Sequence, residues 1–395
     1  MKKDKRLDIL LVGRPDHSMF IYDSLQKQKN LQYHFITFKV LPLYLKRFFR
    51  KFNAQFVGDN VSISITTTFI NICRYPLKLK FARKWSERGR LAPLFIKIVK
   101  KREPKIIHYW STYANDAIES YAKTHPEVIC IKDIHMPSFA TVYEAMKTIA
   151  NKYNMPELAE SYYKRIKSQI DELKDARTLL VPSEYVLNSY KNLLPEKEYI
   201  IVPYGVTKSK EYKKKKKVSD GHKFSFVYIG RISLEKGCDV LMDYFIKHPE
   251  YELHLYGSIP IEQESLFRKD IASNIHFHGS IPKIDVQKEI SGYDIGIHLS
   301  RFDAYSLGVG EMIGCGLPVI VSISTGNECD VRNYNFGKVA DLSSESIDQC
   351  VKSLITPRIY NDTVDSIDRY LTSDMPNYGE KMVSVYNTLI KDNLP

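Results

Sequence analysis

Cysteine is sparse in this chain of 395 residues: Cys73, Cys130, Cys238, Cys315, Cys329 and Cys350 stand apart, with no Cys-x-x-Cys pair. That spacing excludes a disulfide framework and a zinc ribbon and points to a reducing compartment. Long apolar runs are missing as well. No stretch approaches the ~18 to 20 apolar residues that cross a bilayer, and the charge-free segment 61–73 is short and rich in Thr and Ser. The apolar run near the N-terminus is about six residues long and lacks a small-residue cleavage site, so it reads as a first β-strand and not as a secretion signal. Acidic residues are scarce in the first hundred positions. There 21 Lys plus Arg face 6 Asp plus Glu, a balance of +15; against the total of +12, the other 295 positions sum to −3. Finally, no Asp-x-Asp occurs. Without such a carboxylate pair, a metal ion held by two neighbouring acids is not expected.

What is present is, first, a basic and aromatic texture. In residues 41–52 bulky apolar side chains interleave with Lys46, Arg47, Arg50 and Lys51, and residues 77–101 repeat the pattern. An excess of positive charge in one region meets an anionic partner. Basic residues on one side and Leu, Phe and Trp on the other describe a helix in a lipid interface; the same segments also fit core helices with a solvated basic face. The texture favours an anionic membrane surface, met through residues 39–102, and no nucleic-acid partner is expected.

A chain this long exceeds one ordinary core, and two domains are the natural prior. Short apolar runs alternate with helical patterns throughout: 7–12, 105–108, 128–131, 177–181 and 199–202 in the first half, then 224–229, 252–256, 275–278, 295–299 and 319–322 in the second. They predict an α/β chain of two Rossmann-like domains, with ligands beyond the C-terminal strand ends. Helices are expected over much of 141–174, and Ser183 is a candidate N-cap for the next one. The polar stretch 208–221, with consecutive lysines at 213–217, reads as a surface linker between the halves, a run of Lys being also suited to anionic lipid.

The densest signal is residues 302–322, FDAYSLGVGEMIGCGLPVIVS. Asp303 and Glu311 bracket a small-residue turn that leads into a helix. Free N–H groups at a helix start suit a phosphate, and carboxylates accept hydrogen bonds from sugar hydroxyls. Together they suit a nucleotide sugar. A second loop, Gly230 through Gly237, sets Arg231 and Lys236 between two glycines, two cations suited to an anionic ligand. The plainer alternatives are surface cations for Arg231 and Lys236, a helix N-terminal acid held by the dipole for Glu311, and a loop aspartate for Asp303.

These segments carry a resemblance. The second half resembles the nucleotide-sugar-binding domain of the retaining glycosyltransferases of family four (glycosyl transferases group 1), which have the GT-B fold. It rests on Gly230-Arg231 with Glu235-Lys236-Gly237, on Ile275-His276-Phe277-His278-Gly279, and on the run from Asp303 to Glu311 followed by Cys315-Gly316-Leu317-Pro318. Fainter echoes lie at Ile107-His108, Asp133-Ile134-His135, Val181-Pro182-Ser183 and Val202 to Val206.

The resemblance implies two domains facing across a cleft: an acceptor-binding domain over 1–205, a donor-binding domain over 206–374, and a helix over 375–395 that packs back on the first. It implies catalytic roles for His135, which would reach across the cleft, and for Arg231, Lys236 and Asp303. Gly13, Gly230, Ser306, Leu307, Gly308 and Glu311 would bind the donor, Gly13 by letting a loop approach closely. His108 and Trp110 would hold the acceptor. No metal and no cofactor are expected; the nucleotide diphosphate sugar is a co-substrate. The family's first acid is usually Glu, so Asp303 is the place where donor preference would differ. The expected activity is transfer of a hexose, with retention, to a lipid-linked or growing surface glycan, by a cytoplasmic enzyme at the inner face of a bacterial cell membrane. Competing readings are a nucleotide-sugar epimerase of the same architecture, a nucleic-acid-binding protein using the basic half, and an inactive binding subunit.

Overall fold

A strand such as Leu-Asp-Ile-Leu-Leu-Val is apolar on both faces, and a sheet of such strands is stable only with helices packed on both sides. The computed structural model has that arrangement twice. It describes residues 7–13, 15–37, 40–42, 55–57, 60–64, 90–110, 114–210, 212–268 and 271–392. Most of the segment expected to meet lipid, including 43–54 and 65–89, lies outside the described residues.

In chain order the strands of the first half are β1 (Leu7–Val12), β2 (Tyr33–Thr37), β3 (Val40–Pro42), β4 (Gln55–Val57), β5 (Val61–Ile63), β6 (Pro104–Trp110), β7 (Ile129–Asp133), β8 (Thr178–Val181) and β9 (Glu198–Ile201). Those of the second are β10 (Ser225–Ile229), β11 (Glu252–Tyr256), β12 (Ile275–Gly279), β13 (Ile295–His298), β14 (Val319–Ser322) and β15 (Gly337–Ala340). Apart from the β3–β4 pair they form two parallel sheets, ordered β5-β2-β1-β6-β7-β8-β9 and β12-β11-β10-β13-β14-β15. Each sheet grows outward from its first strand in both directions. The order therefore reverses between β1 and β6, and again between β10 and β13, and a crevice opens beyond the carboxyl ends at such a reversal.

The two halves exchange helices. The helical region expected at 141–174 is three helices, Phe139–Lys152, Pro156–Tyr163 and Ile166–Leu173. Pro156 cannot continue the first of them, and Asn154 turns the chain with a φ of +54°. Val142, Met146 and Ala159 from this region pack into the core of the second half beside Phe226, Tyr228 and Leu241. The helix Tyr378–Asp392 goes the other way: Met382, Val383 and Tyr386 close the core under the first sheet, beside Ile21, Tyr22 and Leu25 of the helix Pro15–Gln26.

One of two open readings is selected, and one expectation changes. The helix Ala92–Val99, within the described residues 90–101 of the basic stretch 77–101, buries Phe95 with Leu91 against Ile36, Ile107 and Tyr109. Its apolar side is spent on the sheet, so this piece is a core helix with a solvated basic face. The lysine run is not a free linker either. Lys215 donates to the carbonyls of Ser291 and Tyr293 at 2.6 and 2.5 Å. Lys214 pairs with Asp365 and Asp368, and Lys217 with Asp365. Two aspartates three apart on the helix Pro357–Thr372 present one acidic face, and the lysines lie along it.

Gly379 marks the seat of the C-terminal helix. A Cβ there would lie 2.1 Å from the Phe20 carbonyl oxygen and 2.3 Å from Ser24 Oγ. Gly379→Ala is expected to destabilise the protein by about 1–3 kcal/mol through overpacking, read as a lower urea midpoint. An unchanged midpoint would mean that the close approach carries no stability.

Candidate active site

The reversal between β10 and β13 holds a cleft of about 580 Å³. Its floor is backbone. The Gly230 N–H donates to the Tyr256 carbonyl at 3.0 Å, and a Cβ on Gly257, at φ +155°, would sit 1.7 Å from the Gly230 carbonyl oxygen. Only glycine allows the loops after β10 and β11 to touch in this way. The Tyr228 hydroxyl donates to the Arg231 carbonyl at 2.7 Å and fixes where that residue leaves the strand.

The loop carrying Lys236 is pinned from beneath. Gly237 takes a φ of +66°, and a Cβ there would meet the Leu299 carbonyl oxygen at 1.8 Å. Buried Arg301 donates two hydrogen bonds to the Asp239 carboxylate, at 2.6 and 2.8 Å, and another to the Leu234 carbonyl. Tyr153, from the first half, donates to the same carboxylate at 3.1 Å. The outcome is that Lys236 Nζ rests 2.5 Å from Asp303 Oδ2. His298 Nε2 lies 3.2 Å from that oxygen. Burial lowers the His298 pKa, so the ring is neutral near pH 7. An ionised carboxylate only accepts, which places the ring proton on Nε2. Burial alone would raise the Asp303 pKa; the His298 hydrogen bond and the Lys236 charge overcome it and bring it down to about 2.

Ser306 caps the helix Leu307–Gly314, its Oγ accepting from the Val309 N–H at 3.4 Å. The Asn327 amide grips Ser306 from both sides, accepting its N–H at 2.6 Å and donating to its carbonyl at 3.2 Å. The first turn, with Leu307 and Gly308, is thereby set against the cleft, and the first N–H groups of a helix have no partner within it. Glu311 follows one turn later; burial raises its pKa and the Lys283 charge opposes the rise.

In the first half, Asp133 ends β7 fully buried. His108 Nε2 lies 3.3 Å from one carboxylate oxygen and His135 Nδ1 3.2 Å from the other, and the Tyr378 hydroxyl also hydrogen-bonds the group. Burial would raise its pKa; the two histidines more than reverse that and hold it well below the usual carboxylate range. His135 is held at Nδ1 by Asp133, and its ring is half-exposed. On the far side of His108, Nδ1 lies 2.6 Å from the Tyr386 hydroxyl. Tyr204 bridges toward the cleft, its ring 5.1 Å from that of Tyr378 and 5.4 Å from that of Tyr305.

Of the residues singled out in the sequence, Gly230, Arg231, Lys236, Asp303, Ser306, Leu307, Gly308 and Glu311 line this one cleft. His135 stands apart from them, joined through the tyrosines. His108 and Trp110 are not placed to touch an acceptor. His108 has no exposed surface, Trp110 is 6% exposed, and the two rings stack 4.3 Å apart. Gly13 has a packing reason as well: a Cβ there would lie 2.5 Å from Trp110 Cε3. Asp133 was noted in the sequence only as part of the Asp133-Ile134-His135 echo, with no role given to it, and His298, Arg301 and Asp239 went unremarked. An Arg next to a strand end and an Asp two residues past a loop glycine are common, and nothing in their spacing pairs them.

Fold and cleft together define the GT-B architecture. Residues 209–360 match the family described as glycosyl transferases group 1. No curated protein matches the chain in sequence. Solved structures that share the fold include the apo form of the lipopolysaccharide outer core galactosyltransferase WaaB, with TM-score 0.61, 15% identity and cover of 98% of this chain and 100% of that one. Sucrose-phosphate synthase from Thermosynechococcus elongatus has TM-score 0.60, 14% identity and cover of 98% and 100%. Anabaena Alr3699/HepE in complex with UDP has TM-score 0.59, 12% identity and cover of 98% and 99%.

The pairing of Asp303 has a pH signature. Its folded pKa lies below the ~3.9 of a free aspartate, so ionised Asp303 stabilises the fold above about pH 4, and that contribution is lost as pH falls toward about 2. Asp303→Asn is expected to lower the melting temperature at neutral pH, with the gap to wild type closing over that acid range. A gap independent of pH would refute the pairing.

Proposed function

We propose that the chain is a retaining, metal-independent hexosyltransferase that uses a nucleotide diphosphate sugar and acts on a lipid-linked or growing surface glycan. The observation that carries this reading is the convergence, in one cleft at a sheet reversal, of a helix N-terminus, the three cations Arg231, Lys236 and Lys283, and two carboxylates. Arg231, Lys236 and the N–H groups of Leu307 and Gly308 are suited to the diphosphate. Glu311 is suited to the ribose hydroxyls and Asp303 to those of the sugar. Lys236 contacts Asp303, so donor binding would redistribute that contact between phosphate and carboxylate. In this reading the bond from the anomeric carbon to the β-phosphate oxygen breaks, and a bond to the acceptor oxygen forms on the same face. The acceptor's proton passes to the leaving phosphate. His135, held by Asp133, acts at the transferred sugar. The charge on the leaving diphosphate is met by side chains, which is why no metal is assigned. The basic segments 41–52 and 77–89 would bring the enzyme to anionic lipid on the cytoplasmic side of the membrane.

The test is a screen of common nucleotide sugars for thermal stabilisation and acceptor-free hydrolysis, followed by Lys236→Ala. Turnover is expected to fall by ~10²-fold or more, and to survive a chelator in the wild type. Wild-type turnover in a folded Lys236→Ala protein would sink the assignment. Release of an epimerised donor would replace transfer by epimerisation, and salt-sensitive binding of nucleic acid without donor affinity would replace both.

A further inference from the structure

The outer edge of the second sheet carries a cluster that the proposed transfer does not use. β12 is the edge strand, paired in parallel with β11 so that His254 stands opposite His276. Side chains alternate along a strand, so Glu252 and His254 share a face with His276 and His278. The opposite face is apolar, with Leu253, Leu255 and Phe277 packed at the core. On the polar face the His254 ring stacks on His276 at 4.6 Å and on His278 at 5.2 Å. Glu252 accepts from His276 Nε2, and His254 Nδ1 lies 2.9 Å from His278 Nε2.

Glu252, His254 and His276 each offer a ligand atom, and the three atoms all lie within 4.8 Å of one another. A cation bound at ~2.0–2.2 Å from imidazole nitrogen and carboxylate oxygen brings such atoms to about 3–4 Å apart, so small side-chain rotations suffice. Imidazole with carboxylate suits Zn2+, Cu2+ or Ni2+; Mg2+ and Ca2+ require oxygen ligands. The residues are half-buried to exposed, which leaves a path for entry.

We propose that Glu252, His254 and His276 bind a transition-metal cation of the Zn2+ class, with His278 placed beside them as a further donor. The ion would clamp β11 to the edge strand. Both strands run on into the donor cleft, through Gly257 and Ser258 after β11 and through Ser280 and Ile281 after β12, so the clamp would stiffen one wall of it. It takes no part in bond breaking, and its test needs no donor or acceptor.

Tag-free full-length protein, stripped with a chelator and dialysed, is titrated with Zn2+ by calorimetry and with Co2+ by absorption. The expected result is a single equivalent bound, a Co2+ spectrum without a thiolate charge-transfer band, and a higher melting temperature with Zn2+. Loss of an outer-shell partner already costs ~10- to 100-fold in metal affinity, so His254→Gln with His276→Gln is expected to weaken binding at least that much. Glu252→Gln, at an exposed position where folding is not at stake, is expected to weaken it too. Absence of stoichiometric binding, a thiolate band, or affinity unchanged in folded variants would each overturn the proposal.

Discussion

The buried pairing of Arg301 with Asp239 sets the geometry of the cleft. Asp239 lies in the first turn of the helix Cys238–Lys247 that follows β10, and Arg301 lies just past β13. One ion pair thus ties together the two strand ends between which the sheet reverses. Lys236 precedes Asp239 by three residues and Asp303 follows Arg301 by two, so their contact is a consequence of the deeper one. Leaving either buried charge unpaired costs about 3–5 kcal/mol, which makes this register hard to slip. Because Tyr153 donates to the same carboxylate, the seating of the first half on the second also depends on it.

A similar logic runs through the first half, with two imidazoles and a phenol in place of a guanidinium. Asp133 can stay ionised in a buried place because His108, His135 and Tyr378 donate to it. His108 is oriented in turn by Tyr386. The half-exposed ring of His135 is therefore the outer end of a chain of hydrogen bonds that starts on the C-terminal helix. Residues that the sequence offers as ligand contacts, His108 and Trp110, belong to the interior of that chain.

The strands were legible where apolar residues ran unbroken, and those segments are strands with ends shifted by a residue or two. β3, β4 and β5 are three residues each, too short for a pattern to show, and Tyr33–Thr37 mixes His and Thr into its run. The cleft residues were legible because glycine, carboxylate and cation fell together at fixed spacing on two loops. What could not be read was pairing across the chain: Arg301 with Asp239, Tyr386 with His108, and the lysine run with Asp365 and Asp368. Such contacts are fixed by how helices sit on sheets, and no local pattern encodes that. The alternation His276-Phe277-His278 did carry a signal, since a strand places both imidazoles on one side, but it needed β11 alongside to become a cluster.

The docking of Tyr378–Asp392 on Pro15–Gln26 has a bearing on how the protein is made. A ribosome delivers the Pro15–Gln26 helix early and its partner only near the end of the described chain. Until then Ile21, Tyr22 and Leu25 face water on the side that Met382 and Tyr386 will cover. Domains ordinarily fold as units while synthesis proceeds, but the first half here must wait for a segment encoded beyond the second. Its folding is committed late and over a long loop, so a nascent chain stalled before residue 378 would hold a finished second half beside an unfinished first.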